Sequence, residues 1–228
     1  MDKIIMQENL LALLEDGLKD LSLKLSDIEK GQLIEYINLL LKWNKTYNLT
    51  SIKNELDALK LHILDCLSII NPLRDFLNNK EGNTQTKTVV DVGSGGGLPA
   101  IVLAIVMKNF SIYSVDAVEK KTAFVKAVAS TLKLSNLKSI HTRIENFNLP
   151  EDIDIFISRA FASLDDYIGL VDPLCNGNSI VVAMKGKQPI DELNTLNKKH
   201  PEWKLIVDHE LKVPGLDAER CLLIFKKG

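Results

Sequence analysis

Residues 89–99 read VVDVGSGGGLP, and their reading decides the fold. Val89, Val90 and Val92 suit a buried strand, which stops at Gly93. Gly95, Gly96 and Gly97 follow, and the chain continues AIVLAIVMKN, a helical composition. Strand, glycine turn and helix make a nucleotide-binding corner. Gly93 and Gly95 fill the first two positions of the dinucleotide pattern G-x-G-x-x-G, but Leu98 stands at the third. No G-K-[ST] follows, which removes the triphosphate-binding loop and leaves the dinucleotide reading weakened.

Outward from this corner, SIYSVDAVEKK closes the next strand on Asp116, placed to accept from the ribose hydroxyls of an adenosine. A compact G-x-G-x-G turn has no pyrophosphate to hold. The amino-acid end of S-adenosylmethionine fits against its backbone instead. The bland alternative is a tight turn with a chance acid beside it. The third strand ends in RIEN, where Ile144 and Glu145 would border the adenine unless this is a plain solvent turn. The cofactor reading thus names Gly93, Ser94, Gly95, Gly97, Leu98, Asp116, Ile144 and Glu145.

Strands are expected at 88–92, 110–116, 139–142, 153–158, 178–185, 203–213 and 220–226. Helices are expected at 99–108, 119–132, 164–174 and 189–199. This alternation predicts a doubly wound α/β sheet, with a terminal antiparallel pair across Pro214 and Gly215. Residues 1–84 carry no clear strand. A helix is expected from Ile4 to Leu21, and Ser26 and Glu29 form a capping box that opens a second, to about Trp43. Asn44 to Ser51 read as a polar loop. A third helix carries Leu56, Leu59, Ile63, Leu67 and Ile70 on one stripe, with Pro72 closing it. Residues 81–85 read as a linker.

Composition narrows the class. The 228 residues are 46% apolar and 25% charged, an ordinary globular balance with no signal-peptide or membrane-span pattern. Cys66, Cys175 and Cys221 are too few and scattered for a disulfide framework or a zinc site, so no metal is expected and the cytoplasm is the expected compartment. A net charge of −2 excludes nucleic-acid binding by bulk charge, so any such contact must be local. Arginine occurs only at 74, 143, 159 and 220 in a lysine-rich chain, so its planar fork draws attention there.

The segments VVDVGSGGGLPAIVLAI, VDAVEKKTAFV, RIENF, ISRAFASL, MKG and VPGLDAER, with YNLTSI and HILDCLSI upstream, closely resemble the GidB family of bacterial small-subunit rRNA guanine-N7 methyltransferases. The likeness spans roughly residues 40–225. It departs at Cys66, where the family usually has Ser, at Leu61, usually basic, and at Ala100, often Gly. The resemblance implies a class I S-adenosylmethionine-dependent methyltransferase: a Rossmann-like seven-stranded sheet over 85–228, with an RNA-facing helical extension over 1–84. It implies S-adenosyl-L-methionine as donor and a guanine of the 530 loop of 16S rRNA (527 in family nomenclature) as acceptor. The substrate would be the 30S subunit or an assembly intermediate, with no membrane and no obligate protein partner.

The residues bear on the chemistry. The N/D-P-P-Y/F motif of exocyclic-amine methylation is absent at 157–161, and nothing near Cys175 in sequence would activate a C5-methylating thiolate. Guanine N7 carries a lone pair and no proton, so alignment rather than a general base is required. Arg159 at the fourth strand's end, Arg220 before the last strand and Asn48 in YNLT are the candidate positioning residues, with Arg159 also a candidate for the cofactor carboxylate. Salt bridges and an Asx turn are the plain alternatives. Lys45, Lys53, Lys60, His62 and Lys185 are candidate RNA contacts; His62 and Asp65 share one helical face. Arg74 reads as solvating a helix end. A methyltransferase acting on another RNA or a small molecule, and a non-catalytic assembly factor keeping the cofactor fold, remain open. A nicotinamide oxidoreductase is disfavoured by Leu98.

Overall fold

A computed structural model describes residues 2–78, 86–149 and 152–228, with side chains from Gln7 onward except at Asn78. The helical segment comprises α1 (Asp2–Asp20), α2 (Asp27–Tyr47), α3 (Glu55–Ala58), a π-turn (Leu59–Leu64), α4 (Asp65–Leu67) and α5 (Ile70–Asn78). The capping box forms as expected: Glu29 N donates to Ser26 Oγ, and Ser26 N donates to Glu29 Oε2 at 2.7 Å. Three expectations fail here. The second helix runs past Trp43 and takes Asn44–Tyr47 from the expected loop. The third helix is broken by the π-turn, and Leu56 is exposed rather than buried. Pro72 closes nothing. It lies in the first turn of α5, where a missing N–H costs no helical bond. The expected linker at 81–85 lies outside the described residues.

From residue 88 the order is β1 (Thr88–Val92), α6 (Ala100–Val106), β2 (Ser111–Asp116), α7 (Glu119–Thr131), β3 (Leu137–His141), β4 (Ile155–Arg159), α8 (Leu164–Val171), β5 (Ile180–Lys185), α9 (Ile190–Lys199), β6 (Trp203–Glu210) and β7 (Cys221–Lys227). The seven-stranded sheet is ordered β3-β2-β1-β4-β5-β7-β6, parallel except for β7 and its pairing with β6. The expected terminal antiparallel pair is therefore present. Strand order reverses between β1 and β4, and open α/β sheets bind ligands at the carboxyl ends beside that switch.

Side chains alternate along each strand between two cores. Val89, Ile155 and Ile157 face the helical segment together with α6 and α7; Val90, Val92 and Phe156 face α8 and Trp203. Every residue of α6 is buried, which is why AIVLAIV has no polar face: the sheet covers one side and the helical segment, through α2 and α4, the other. The helices before residue 79 thus share a core with the sheet instead of forming a separate unit. Arg74 Nη2 donates to Val106 O at 3.0 Å, capping the α6 C-terminus.

Candidate active site

The glycine turn is held by backbone geometry. Gly93, Gly95 and Gly97 have φ of 69°, 60° and 85°, a left-handed region that disfavours any Cβ. Their surroundings differ. A Cβ on Gly93 would lie 2.4 Å from the Phe161 ring, and one on Gly97 would lie 2.4 Å from Ile101. A Cβ on Gly95 would meet only Gly93 O, at 3.9 Å. Gly97 therefore packs the turn onto α6 and does not line the cleft, whereas Gly93, Ser94, Gly95 and Leu98 do. The Ser94 hydroxyl accepts from Ser114 Oγ at 2.7 Å, so that side chain is committed to the sheet.

Asp116 is buried. Its Oδ2 accepts from Gly95 N at 2.9 Å and its Oδ1 from Val118 N at 2.8 Å, which fixes the carboxyl at the floor of a cavity of about 420 Å3. Lys121, Arg143, Ile144, Glu145 and Phe161 line the same cavity. Ile144 is buried and Glu145 exposed at the rim. Asp91, unremarked in the sequence, sits beneath the turn. Its Oδ2 accepts from Ala100 N at 3.0 Å and its buried Oδ1 has no partner. Burial pushes its carboxyl up to about 7, against hydrogen bonds from Ala100 and Ser94.

A second cavity of about 470 Å3 adjoins the first at Gly93 and Ala160. Ala160 has φ 53°, strain of the kind that concentrates at sites. Arg159, Arg220, Lys185, His62, Asp65 and Thr50 line this cavity. Arg159 Nη1 donates to Asp65 Oδ2 at 3.1 Å and to Leu61 O at 3.0 Å; Arg220 Nε donates to Asp65 Oδ1 at 2.9 Å. Leu61 serves here through its carbonyl rather than its side chain. His62 Nε2 is 2.9 Å from Thr50 Oγ1. Burial, then the nearby Arg159 charge, holds the imidazole down to about 4, so it is neutral at pH 7. Lys185 Nζ donates to Glu192 Oε2 at 2.7 Å and to Ala162 O. Tyr36, on α2, donates through its hydroxyl to Gly96 O at 2.8 Å, tying the helical segment to the glycine turn.

Other candidates lie elsewhere. Asn48 is the exposed C-cap of α2, with φ 50°. With Lys42, Lys45 and Lys53 it lines a neighbouring depression that meets the second cavity at Thr50. Lys60 packs along Gly215 and lines neither cavity. Burial pushes the Cys175 thiol up to about 12. Among the described residues no helix is long and apolar enough to cross a membrane. Tyr36 and Thr50 are contributors to which the sequence gave no role, and Asp65, expected to pair with His62, accepts from Arg159 and Arg220 while His62 meets Thr50. The His-Ile-Leu-Asp run carried the one available signal.

The residues present suit a nucleoside bearing an amino-acid end. Asp116, Ile144 and Glu145 line one cavity, and the glycine turn leaves room beside it at Gly95.

The fold agrees with known methyltransferases. A SAM-dependent methyltransferase from Aquifex aeolicus superposes with a TM-score of 0.54 at 14% identity, covering 75% of this chain and 93% of that one. A protein named ribosomal RNA small subunit methyltransferase G from Bordetella petrii is 41% identical over 94% of this chain and 82% of its own length. The namesake from a Polaromonas species is 42% identical over 92% and 90%. The model of the GidB family, described as rRNA small subunit methyltransferase G, matches residues 29–220. The chain belongs to the GidB family of small-subunit rRNA methyltransferases.

Proposed function

We propose that the protein transfers a methyl group from S-adenosyl-L-methionine to N7 of a guanine in the 530 loop of 16S rRNA, acting in the cytoplasm on the 30S subunit or an assembly intermediate. The observation that carries this is the pair of adjoining cavities, one floored by Asp116 and one walled by Arg159 and Arg220, meeting at Gly93. The cofactor, when bound, supplies the methyl group on a cationic sulfur.

The chain's own residues bind and orient. Asp116, through two backbone amides, holds the turn and presents its carboxylate to the ribose. Ile144 and Glu145 border the base. Ser94, Gly95 and Leu98 leave the amino-acid end against backbone. Arg159 and Arg220 fix the RNA, and Asn48 with Lys45 and Lys53 meets it further out. Nothing need take a proton from N7, which fits a site where His62 is held neutral and weakly basic and both Asp65 oxygens are engaged by arginines. A-form RNA buries N7 in a deep, narrow groove, so the guanine must be unpaired or flipped to enter.

The test is a mass map of 16S rRNA from a strain lacking this gene. Loss of one 7-methylguanosine in the 530 loop is expected. Its retention sinks the proposal.

A further inference from the structure

Arg159 leaves the end of β4 and Arg220 precedes β7, yet both reach one carboxylate on the helical segment. Each oxygen of Asp65 serves a different arginine, at 3.1 and 2.9 Å, and the residue is 4% exposed. The π-turn ends at Asp65, and such an extra residue per turn commonly re-aims side chains at functional sites. Within this cavity the one Asp65 charge therefore faces two arginines, while Asp208, Glu210 and Glu219 line a separate depression on the other side of Arg220. Glu192 holds the Lys185 ammonium. Nη2 of Arg220 has no partner among the described residues. A long arginine would otherwise wander among rotamers and lose that freedom on ordering.

We propose that Asp65 is a positioning residue that locks Arg159 and Arg220 into one cationic corner, whose unspent charge grips the RNA phosphate beside the target guanine. This rests on the reading of the protein as an rRNA methyltransferase. It also makes a prediction of opposite sign to simple charge counting. Removing the Asp65 charge makes the corner more positive, which by charge alone tightens RNA. If Asp65 acts by position, its removal weakens RNA.

The experiment measures binding of 30S subunits lacking the methyl mark over a salt series, for wild type, Asp65→Asn, Arg220→Gln and the double variant. Affinity for S-adenosylhomocysteine is measured by calorimetry on the same proteins. Asp65→Asn should weaken 30S binding ~10-fold, and Arg220→Gln similarly with the salt slope lowered by about 1. The double variant should be no weaker than Arg220→Gln within ~3-fold, since both changes break one unit. Cofactor affinity should stay within ~3-fold of wild type. Unchanged or tighter 30S binding by Asp65→Asn overturns the proposal, as do fully additive losses. A fall in cofactor affinity matching the fall in RNA affinity also overturns it, because the anion gripped would then be the cofactor carboxylate. If Asp65→Asn does not fold by circular dichroism, Arg220→Gln decides, and wild-type RNA affinity there overturns the clamp. Binding is read independently of turnover. A wild type that binds 30S but methylates nothing therefore counts against the function and not against the clamp.

Discussion

Neighbouring glycines in the turn do different things, and single substitutions separate them. Gly93→Ala forces a methyl onto the Phe161 ring at a positive φ, so strain and overpacking act together. A stability loss of about 2–4 kcal/mol is expected by chemical denaturation. Gly95→Ala meets only the backbone penalty of roughly 1–2 kcal/mol, because its Cβ beside the cleft comes no closer than 3.9 Å to Gly93 O. There, cofactor affinity should fall further than stability. Equal effects of the two variants in both assays would contradict this division.

Two titratable groups, half-buried His62 and buried Asp91, oppose each other. His62 is held down to about 4 from the ordinary 6.5, so the unfolded chain binds more protons in between, and this residue's contribution to stability is lost on acidification through that window. Asp91 is pushed up to about 7 from 3.8, so the native state binds more protons there, and its contribution is lost as pH rises. Urea melts at pH 4.5, 5.5 and 6.5 should show the wild-type advantage over His62→Gln growing with pH, and the advantage over Asp91→Asn shrinking. Differences independent of pH would contradict the two assignments. Gly93, Gly95 and Asp116 were readable from sequence because their contacts close within one strand–helix–strand unit, 21 residues apart for Gly95 and Asp116. Asp65 was not given this role, because its partners lie 94 and 155 residues away and nothing local names them.

At the scale of elements, the hydrophobic pattern gave the strand–helix alternation and the antiparallel end of the sheet, since strand and helix periods differ plainly over 88–227. It missed the break in the third helix. A π-turn keeps an apolar spacing close to helical, and the cost of the wider turn is repaid by contacts across the molecule. It also stopped α2 too early, because Asn, Lys and Thr carry loop composition. There the Trp43 and Tyr47 rings pack at 5.3 Å, tilted by 33°, and Asn48 takes the left-handed cap. What α2 does for the site rests on Tyr36. Tyr36→Phe leaves Gly96 O without its hydroxyl donor and should cost about 1–2 kcal/mol, lowering the melting temperature by a few degrees. Because Gly96 belongs to the turn, cofactor affinity should drop several-fold in the same variant. A wild-type melting temperature would show that the bond contributes nothing.

For the whole molecule, the sequence suggested a helical extension set beside a methyltransferase sheet. The packing joins them: α6 is buried on all sides, and Asp65, Tyr36 and Leu40 come from the extension to meet the cleft. A chain beginning at residue 79 would expose the α6 face that α2 and α4 cover, an apolar patch that soluble monomers rarely carry. Such a truncation should aggregate or melt without a cooperative transition. A soluble, cofactor-binding fragment would contradict the shared core.

The most direct test of the account as a whole is transfer of labelled methyl from S-adenosyl-L-methionine to 30S subunits from a strain lacking the gene, followed by nuclease digestion and mass mapping. The account predicts one labelled 7-methylguanosine, in the 530 loop, at a rate cut at least ~100-fold by Arg159→Ala with the fold retained. Label in another nucleoside, or none with a cofactor-binding wild-type protein, would contradict it.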